Sequence, residues 1–173
     1  RGLGDVYKRQ GTFSKIYRRI LKMKKNLLVA QSGGPTAAIN ATLAGVIKQA
    51  IKEEQIDQVY GACYGIQGVL EQKFVNLTEK VDTEEKLEKL KRTPAAALGS
   101  CRFKLNDIKE DDSQYQEIVD ILHKMNIGYF VYIGGNDSMD TVAKLSAYCK
   151  EKGVEDIKVI GGPKTIDNDP VSY

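Results

Sequence analysis

Leu27-Leu28-Val29-Ala30 is an unbroken apolar run, and the turn Ser32-Gly33-Gly34-Pro35 follows it almost at once. An apolar run bounded by glycine and proline is typical of a parallel strand that is covered on both faces. Residues 38–52 then carry apolar side chains at helical spacing, which predicts an amphipathic helix. Strand, glycine-rich turn and helix, in that order, are how a doubly wound α/β domain begins.

The order of strand, turn and helix recurs along the rest of the chain. Tyr129-Phe130-Val131-Tyr132-Ile133 predicts the strongest strand, because aromatic and β-branched residues favour strands. Further strands are predicted at residues 57–63, 74–77 and 157–160, and further helices at 83–91, 112–125 and 138–152. The glycines between the second and third strands predict a loop; they are Gly61, Gly65 and Gly68. The pattern as a whole predicts a Rossmann-like, three-layer α/β/α lobe with a mainly parallel sheet.

The 26 basic and 23 acidic residues are distributed unevenly along the 173-residue chain. Residues 1–22 contain seven basic residues and one acidic residue, so the remaining 151 residues carry a formal net charge of −3. A mildly acidic domain does not offer the basic face that nucleic-acid binding needs. No apolar run approaches the roughly 20 residues of a membrane span. We therefore expect neither a nucleic-acid nor a membrane partner.

The first 22 residues differ from the rest in composition. They lack the apolar core of a secretory signal, and a basic targeting arm is the alternative that composition leaves open. We interpret residues 1–22 as a non-native leader, with Met23 as the natural start, and residues 170–173 as a foreign end. The expected domain is then a lobe over residues 23–169 that is truncated at its carboxyl end.

The cysteines and the histidine do not show the spacing that is typical of a metal site or of a catalytic nucleophile. The three cysteines show no Cys-x-x-Cys spacing, which favours reduced thiols in the cytoplasm. His123 is the single histidine and falls within a predicted helix, so we expect it to be structural.

Several predicted strands end at glycine-rich turns. In an open parallel sheet these turns meet at one edge, where ligands bind and helix N-termini present free N–H groups to anions. Neither common phosphate-loop motif occurs, so plain strand-to-helix turns remain an alternative. The polar residues at these turns favour a phosphate ligand, because carboxylates with a lysine can hold magnesium and neutralise phosphate. They are Asn136 and Asp137 after the strongest strand, and Lys164, Asp167 and Asp169 after the last.

Four motifs in this order resemble the phosphofructokinase family; they are Ser32-Gly33-Gly34-Pro35-Thr36-Ala37-Ala38-Ile39-Asn40, Gly99-Ser100-Cys101-Arg102-Phe103, Gly134-Gly135-Asn136-Asp137-Ser138 and Pro163-Lys164-Thr165-Ile166-Asp167-Asn168-Asp169. The resemblance implies the phosphoryl-donor lobe in the N-terminal part of that fold. It also implies a cytoplasmic, magnesium-dependent glycolytic transferase that is a homodimer or homotetramer at full length. Its reaction would move a phosphoryl group reversibly from pyrophosphate to the 1-hydroxyl of fructose 6-phosphate.

The resemblance also implies roles for single residues. Asp167 would accept the proton of the 1-hydroxyl, and Thr165 would contact the sugar with it. Gly34 would let the first turn approach the donor, and Arg102 would pair with donor phosphate through its planar guanidinium group. Asp169 would support the loop and help to hold magnesium.

Two further residues bear on the choice of donor. ATP-dependent relatives carry glycine where this chain has Asp137 and Lys164. The carboxylate would occupy space near the α-phosphate of a nucleotide and repel it, and the lysine would stabilise charge on pyrophosphate. Asn136 departs from the usual aspartate, so it offers magnesium an oxygen without charge. An ATP-dependent enzyme and a non-catalytic phosphate-binding or regulatory module remain alternatives.

Overall fold

The computed structural model describes residues 24–34 and 36–164. Outside the described residues lie the interpreted leader and foreign end, and the predicted site residues Thr165, Asp167 and Asp169. The strands are β1 Lys25–Gln31, β2 Ile56–Ala62, β3 Phe74–Asn76, β4 Ile127–Gly134 and β5 Lys158–Pro163. The helices are α1 Ala37–Ala50, α2 Gly65–Leu70, α3 Leu77–Lys80, α4 Glu84–Lys91, α5 Ser113–Lys124 and α6 Asn136–Glu151. Within these ranges, none of the helices has both the length and the apolar character needed to span a membrane.

The strands form one sheet in the order β3-β2-β1-β4-β5. β1 lies at its centre and pairs in parallel with β2 and β4, and β5 extends the sheet in parallel beyond β4. Only the short β3, at the edge, runs antiparallel to its neighbour β2. The predicted mainly parallel sheet is confirmed, and its most apolar strands are the central ones, β1 and β4.

Helices cover both faces of the sheet. Successive side chains of a strand point to opposite faces, so β1 contributes to two separate cores. Leu28 and Ala30 pack in the core formed with α2, α5 and α6. Leu27 and Val29 pack in the opposite core with α1, α3 and α4. This arrangement confirms the three-layer α/β/α prediction and explains why β1 reads as a continuous apolar run instead of an alternating one.

The segment after β2 differs from the sequence prediction. Gly65 and Gly68 lie in helix α2 and not in a loop. The helix begins abruptly because Tyr64 and Gly65 both have φ in the left-handed region, at 65° and 63°. A Cβ on Gly68 would lie 1.6 Å from the carbonyl oxygen of Cys63, so this glycine permits close contact between the helix and the chain that enters it. The prediction was wrong because the glycine serves packing and not a turn.

Two buried carboxamides, those of Gln31 and Asn40, connect β1 and α1 to residues 93–98. The Nε2 group of Gln31 donates to the Oδ1 of Asn40 at 3.1 Å. Each carboxamide also binds backbone groups of the 93–98 segment. Asn40 Nδ2 donates to the carbonyls of Thr93 (2.8 Å) and Ala95 (2.7 Å), and the N–H groups of Ala97 and Leu98 donate to Asn40 Oδ1 (3.0 Å) and Gln31 Oε1 (2.9 Å).

Alanine substitution should separate glycines that are required by packing from those that are not. Gly68→Ala is expected to lower the free energy of unfolding by about 3 kcal/mol, because the contact with Cys63 is to rigid backbone. Gly45→Ala, on the exposed side of α1 where a Cβ meets no described atom within 4 Å, should raise it by up to about 1 kcal/mol. Urea unfolding of the two variants measures both values. Equal changes in the two would contradict this interpretation of α2.

Loss of the Asn40 carboxamide should be costly. Asn40→Ala removes three hydrogen bonds to part-buried backbone groups of residues 93–97 and one to the buried carboxamide of Gln31, so we expect the free energy of unfolding to fall by about 3 kcal/mol. Asn106→Ala is the matched control, because Asn106 is exposed and its side chain donates to Asp111 at 3.3 Å; we expect a change below about 0.5 kcal/mol. Denaturant titration of both variants is the measurement, and a loss of similar size in both would argue against the network.

Candidate functional site

A cleft of about 670 Å³ lies where the central parallel strands end. Ser32, Gly135 and Lys164 each follow the last residue of β1, β4 or β5, and all three line the cleft. Backbone hydrogen bonds extend the pairing past the strands, since Ser32 N–H donates to the carbonyl of Ile133 at 2.9 Å and Lys164 N–H to that of Gly134 at 3.1 Å. The glycine-rich turns therefore meet at one edge of the sheet, as the sequence predicts.

The glycines of these turns serve two different purposes. At Gly134 a Cβ would lie 2.0 Å from the Oγ of Ser138, so packing within the chain excludes a side chain there. At Gly33 the φ of +80° excludes one. At Gly34 and Gly135, by contrast, a Cβ would meet no described atom within 4 Å. Glycine at these two positions leaves open space in the cleft, which is the space a ligand can use.

The segment that carries Arg102 is tied to the first turn by two serines. Ser100 Oγ donates to the carbonyl of Gly33 at 2.6 Å, and Ser32 Oγ donates to the carbonyl of Cys101 at 3.1 Å. These bonds join the first two sequence motifs across 67 to 69 residues of chain. They fix the backbone immediately before Arg102 relative to the end of β1.

Side chains alternate along this segment as they would along a strand. Cys101, Phe103 and Leu105 turn toward the core beneath α2 and α5. Arg102 and Lys104 alternate with them and are exposed, and both line the cleft. Sequence reasoning identified Arg102 but missed Lys104, and this alternation of apolar and basic residues is the signal that could have found it.

The cleft is cationic although the chain after residue 22 is acidic overall. Three basic residues, Arg102, Lys104 and Lys164, and one acidic residue, Asp137, are among its lining residues. Lys104 Nζ lies 3.2 Å from Asp137 Oδ1. The side chain of Lys164 extends over the first turn, with its Cε 3.3 Å from the position a Cβ would take on Gly33. This arrangement can bind an anion through a few charged side chains at fixed positions.

Helix α6 begins at the cleft. Gly135 is its N-cap residue, and no side chain in residues 24–34 or 36–164 caps it, so the first N–H groups can bind a ligand. Asn136 and Asp137 form the exposed start of the helix and supply its oxygen-bearing side chains there. The described ranges contain no cluster of three or more His, Cys, Asp or Glu side chains that could hold a metal ion. The donor set fits magnesium that takes most of its ligands from phosphate and water, with one or two protein oxygens.

The floor of the cleft includes the buried ring of Tyr132. Burial raises the pKa of Tyr132 to about 12, so its hydroxyl stays neutral at physiological pH. The N–H of Ile66 donates to this hydroxyl at 3.4 Å, which links α2 to β4 beneath the site. The residue is a neutral polar contact at the base of a charged cleft.

Five of the sequence-predicted site residues line this one cleft: Gly34, Arg102, Asn136, Asp137 and Lys164. Thr165, Asp167 and Asp169 lie outside the described residues. His123 lies elsewhere on the surface, with its Nε2 3.1 Å from Asp156 Oδ1. It takes part in a surface hydrogen bond with Asp156 and does not line the cleft.

The chain is similar in sequence to two curated pyrophosphate–fructose 6-phosphate 1-phosphotransferases. It is 43% identical over 148 residues to the enzyme from Rhodospirillum rubrum, which covers 86% of this chain and 35% of the relative. It is 42% identical over 144 residues to that from Xanthomonas campestris, which covers 83% of this chain and 33% of the relative. The chain therefore spans about a third of the length of these relatives.

The fold is also similar to that of a solved structure, the pyrophosphate-dependent phosphofructokinase from Nitrosospira multiformis. The TM-score is 0.75 at 39% identity, over 85% of this chain and 35% of that one. The sequence profile described as phosphofructokinase matches residues 26–172, which include every residue that lines the cleft. The parallel sheet, the cleft at its carboxyl edge and this match over most of the sequence agree that the chain belongs to the phosphofructokinase family.

Proposed function

We propose that the protein containing this chain transfers a phosphoryl group reversibly from pyrophosphate to the 1-hydroxyl of D-fructose 6-phosphate, giving fructose 1,6-bisphosphate. The observation that carries the proposal is that Asp137 and Lys164, the two residues that distinguish this chain from ATP-using relatives, line the same cationic cleft. The names of the curated relatives support it.

The donor half of the proposal rests on the described cleft. Pyrophosphate is a short, highly charged anion, and Arg102 and Lys164 offer it a planar guanidinium fork and a compact ammonium group. The open space at Gly34 lets the backbone of the first turn approach the phosphate oxygens. Lys164 would stabilise the charge that develops as the phosphoryl group transfers.

Selection against ATP would depend on Asp137. Its exposed carboxylate stands in the first turn of α6, beside the open space at Gly135. A nucleotide must place its α-phosphate and ribose beyond the two phosphates that pyrophosphate also has. By the family resemblance, Asp137 lies where the α-phosphate would be, so it opposes ATP by its volume and its charge.

The acceptor half rests on the family resemblance. The carboxylate of Asp167 accepts the proton of the sugar's 1-hydroxyl as that oxygen bonds to the phosphorus of pyrophosphate, and inorganic phosphate leaves. Thr165 and Asp167 contact the sugar. Asn136 and Asp169 would hold magnesium, which supplies positive charge to the phosphates when it is bound.

The cellular location, the oligomeric state and the pathway of the full-length protein can also be proposed. Cys63, Cys101 and Cys149 are free thiols, which supports a reducing, cytoplasmic location. We propose a homodimer or homotetramer for the full-length protein, acting in glycolysis.

Exchange of the two distinguishing residues should change the donor. In a full-length protein that contains this chain, Asp137→Gly with Lys164→Gly should lower the pyrophosphate-dependent rate at least about 100-fold. It should also create ATP-dependent formation of fructose 1,6-bisphosphate, measured by coupling product formation to aldolase. Lys164→Gly alone is the control, because it should lose the pyrophosphate reaction without gaining ATP. A preference of the unsubstituted protein for ATP would instead support the ATP-dependent alternative.

Substitution of the general base should separate catalysis from binding. In the same full-length protein, Asp167→Asn should lower kcat at least about 100-fold while the Kd for pyrophosphate stays within about twofold. Asp156→Asn is the control, since Asp156 pairs with Lys25 and His123 at the opposite edge of the sheet, and its turnover should be unchanged. Normal function in Asp167→Asn would favour a non-catalytic phosphate-binding module.

A further inference from the structure

The position of Asp137 raises a difficulty for a cleft that binds pyrophosphate. A carboxylate that opposes the α-phosphate of ATP also repels pyrophosphate, because Coulomb repulsion acts on both anions. The cleft must therefore offset the charge of Asp137 and still retain its volume. This question rests on the proposed function of the cleft.

Among the described residues, Lys104 is the basic residue positioned to offset the charge of Asp137. Its Nζ lies 3.2 Å from Asp137 Oδ1, and both residues line the cleft. They come from separate parts of the fold, Lys104 from the segment after Arg102 and Asp137 from the first turn of α6. The ion pair therefore bridges the two walls of the cleft.

The contribution of this pair to folding is expected to be small. The side chains of Lys104 and Asp137 are 78% and 80% exposed, and exposed ion pairs stabilise proteins little. Lys144 and Asp140 give a useful contrast, because they form another surface Lys–Asp pair at 2.8 Å on α6, with Lys144 half-buried, but do not line the cleft. We therefore expect the Lys104–Asp137 ion pair to affect ligand binding in the cleft more than it affects the stability of the fold.

We propose that Lys104 is a specificity-determining residue of the donor site. Its ammonium group neutralises the Asp137 carboxylate, so that pyrophosphate is admitted beside it. The paired side chains keep their volume across the cleft, so a nucleotide can bind only by separating them. Asp137 and Lys104 then act as one unit in donor selection, together with Lys164.

Calorimetric titration of a full-length protein that contains this chain, with magnesium pyrophosphate as the ligand, tests the charge balance. Lys104→Met should raise the Kd roughly tenfold, the effect expected for one charge close to a bound anion. Adding Asp137→Asn to Lys104→Met should bring the Kd back to within about threefold of the unsubstituted protein, because the removed charges cancel. The double variant should also bind magnesium ATP more tightly than the unsubstituted protein, because the bridge is gone.

Two controls separate charge from folding. Lys104→Arg should keep the unsubstituted Kd for pyrophosphate, and Lys144→Met, the matched ion pair outside the cleft, should leave it unchanged. Thermal unfolding midpoints should be the same for all variants within about 2 °C, as expected for exposed residues.

The outcomes distinguish this inference from the function on which it rests. If the unsubstituted full-length protein does not bind magnesium pyrophosphate, both are overturned. If the unsubstituted protein binds it but the double variant binds more weakly than Lys104→Met, Asp137 contributes directly to binding and this inference alone is overturned. It is also overturned if the double variant gains no affinity for ATP.

Discussion

The buried pair of carboxamides at Gln31 and Asn40 sets the position of most of the candidate site. Gln31 ends β1 and Asn40 lies in the first turn and a half of α1, so their contact fixes the angle at which the chain leaves the central strand. The same two side chains hold residues 93–98, which lead directly into the segment that carries Arg102 and Lys104. Buried amide groups are costly to leave without partners, so this arrangement has few alternatives. A buried polar contact outside the cleft thus helps to position Arg102 and Lys104 within it.

The electrostatic potential in the cleft depends on the positions of a few charged side chains and not on the net charge of the chain. The chain after residue 22 has a net charge of −3, yet among the described residues three basic side chains and one acidic side chain line the cleft. Exposed charges farther away than the Debye length of about 8–10 Å are largely screened at physiological salt. A bound anion therefore interacts mainly with Arg102, Lys104, Lys164 and Asp137. The net charge bears only on our expectation that the domain has no nucleic-acid partner.

The sequence predicts those features of the fold and the site that depend on local pattern. The apolar runs of β1 and β4 predict buried parallel strands, and the polar residues that follow strands predict Asn136, Asp137 and Lys164 at one edge. Features that lie outside a regular strand or helix pattern are not predicted. Helix α2 was missed because Gly68 packs on a carbonyl of the preceding strand end. Lys104 was missed because its alternation with the core residues Phe103 and Leu105 occurs outside any strand.

Glycine content alone would not have distinguished a ligand site from ordinary turns. Gly134 is required because Ser138 lies where its side chain would be, which is a constraint of folding. Gly34 and Gly135 meet no such constraint among the described residues, and both line the cleft. The functional information lies in this difference together with the position of the two glycines in the cleft, because Gly45 on the exposed side of α1 also avoids no clash. We propose that Arg102 and Lys164 attract the phosphate groups of the ligand, and that the ion pair between Lys104 and Asp137 excludes a ligand as long as a nucleotide.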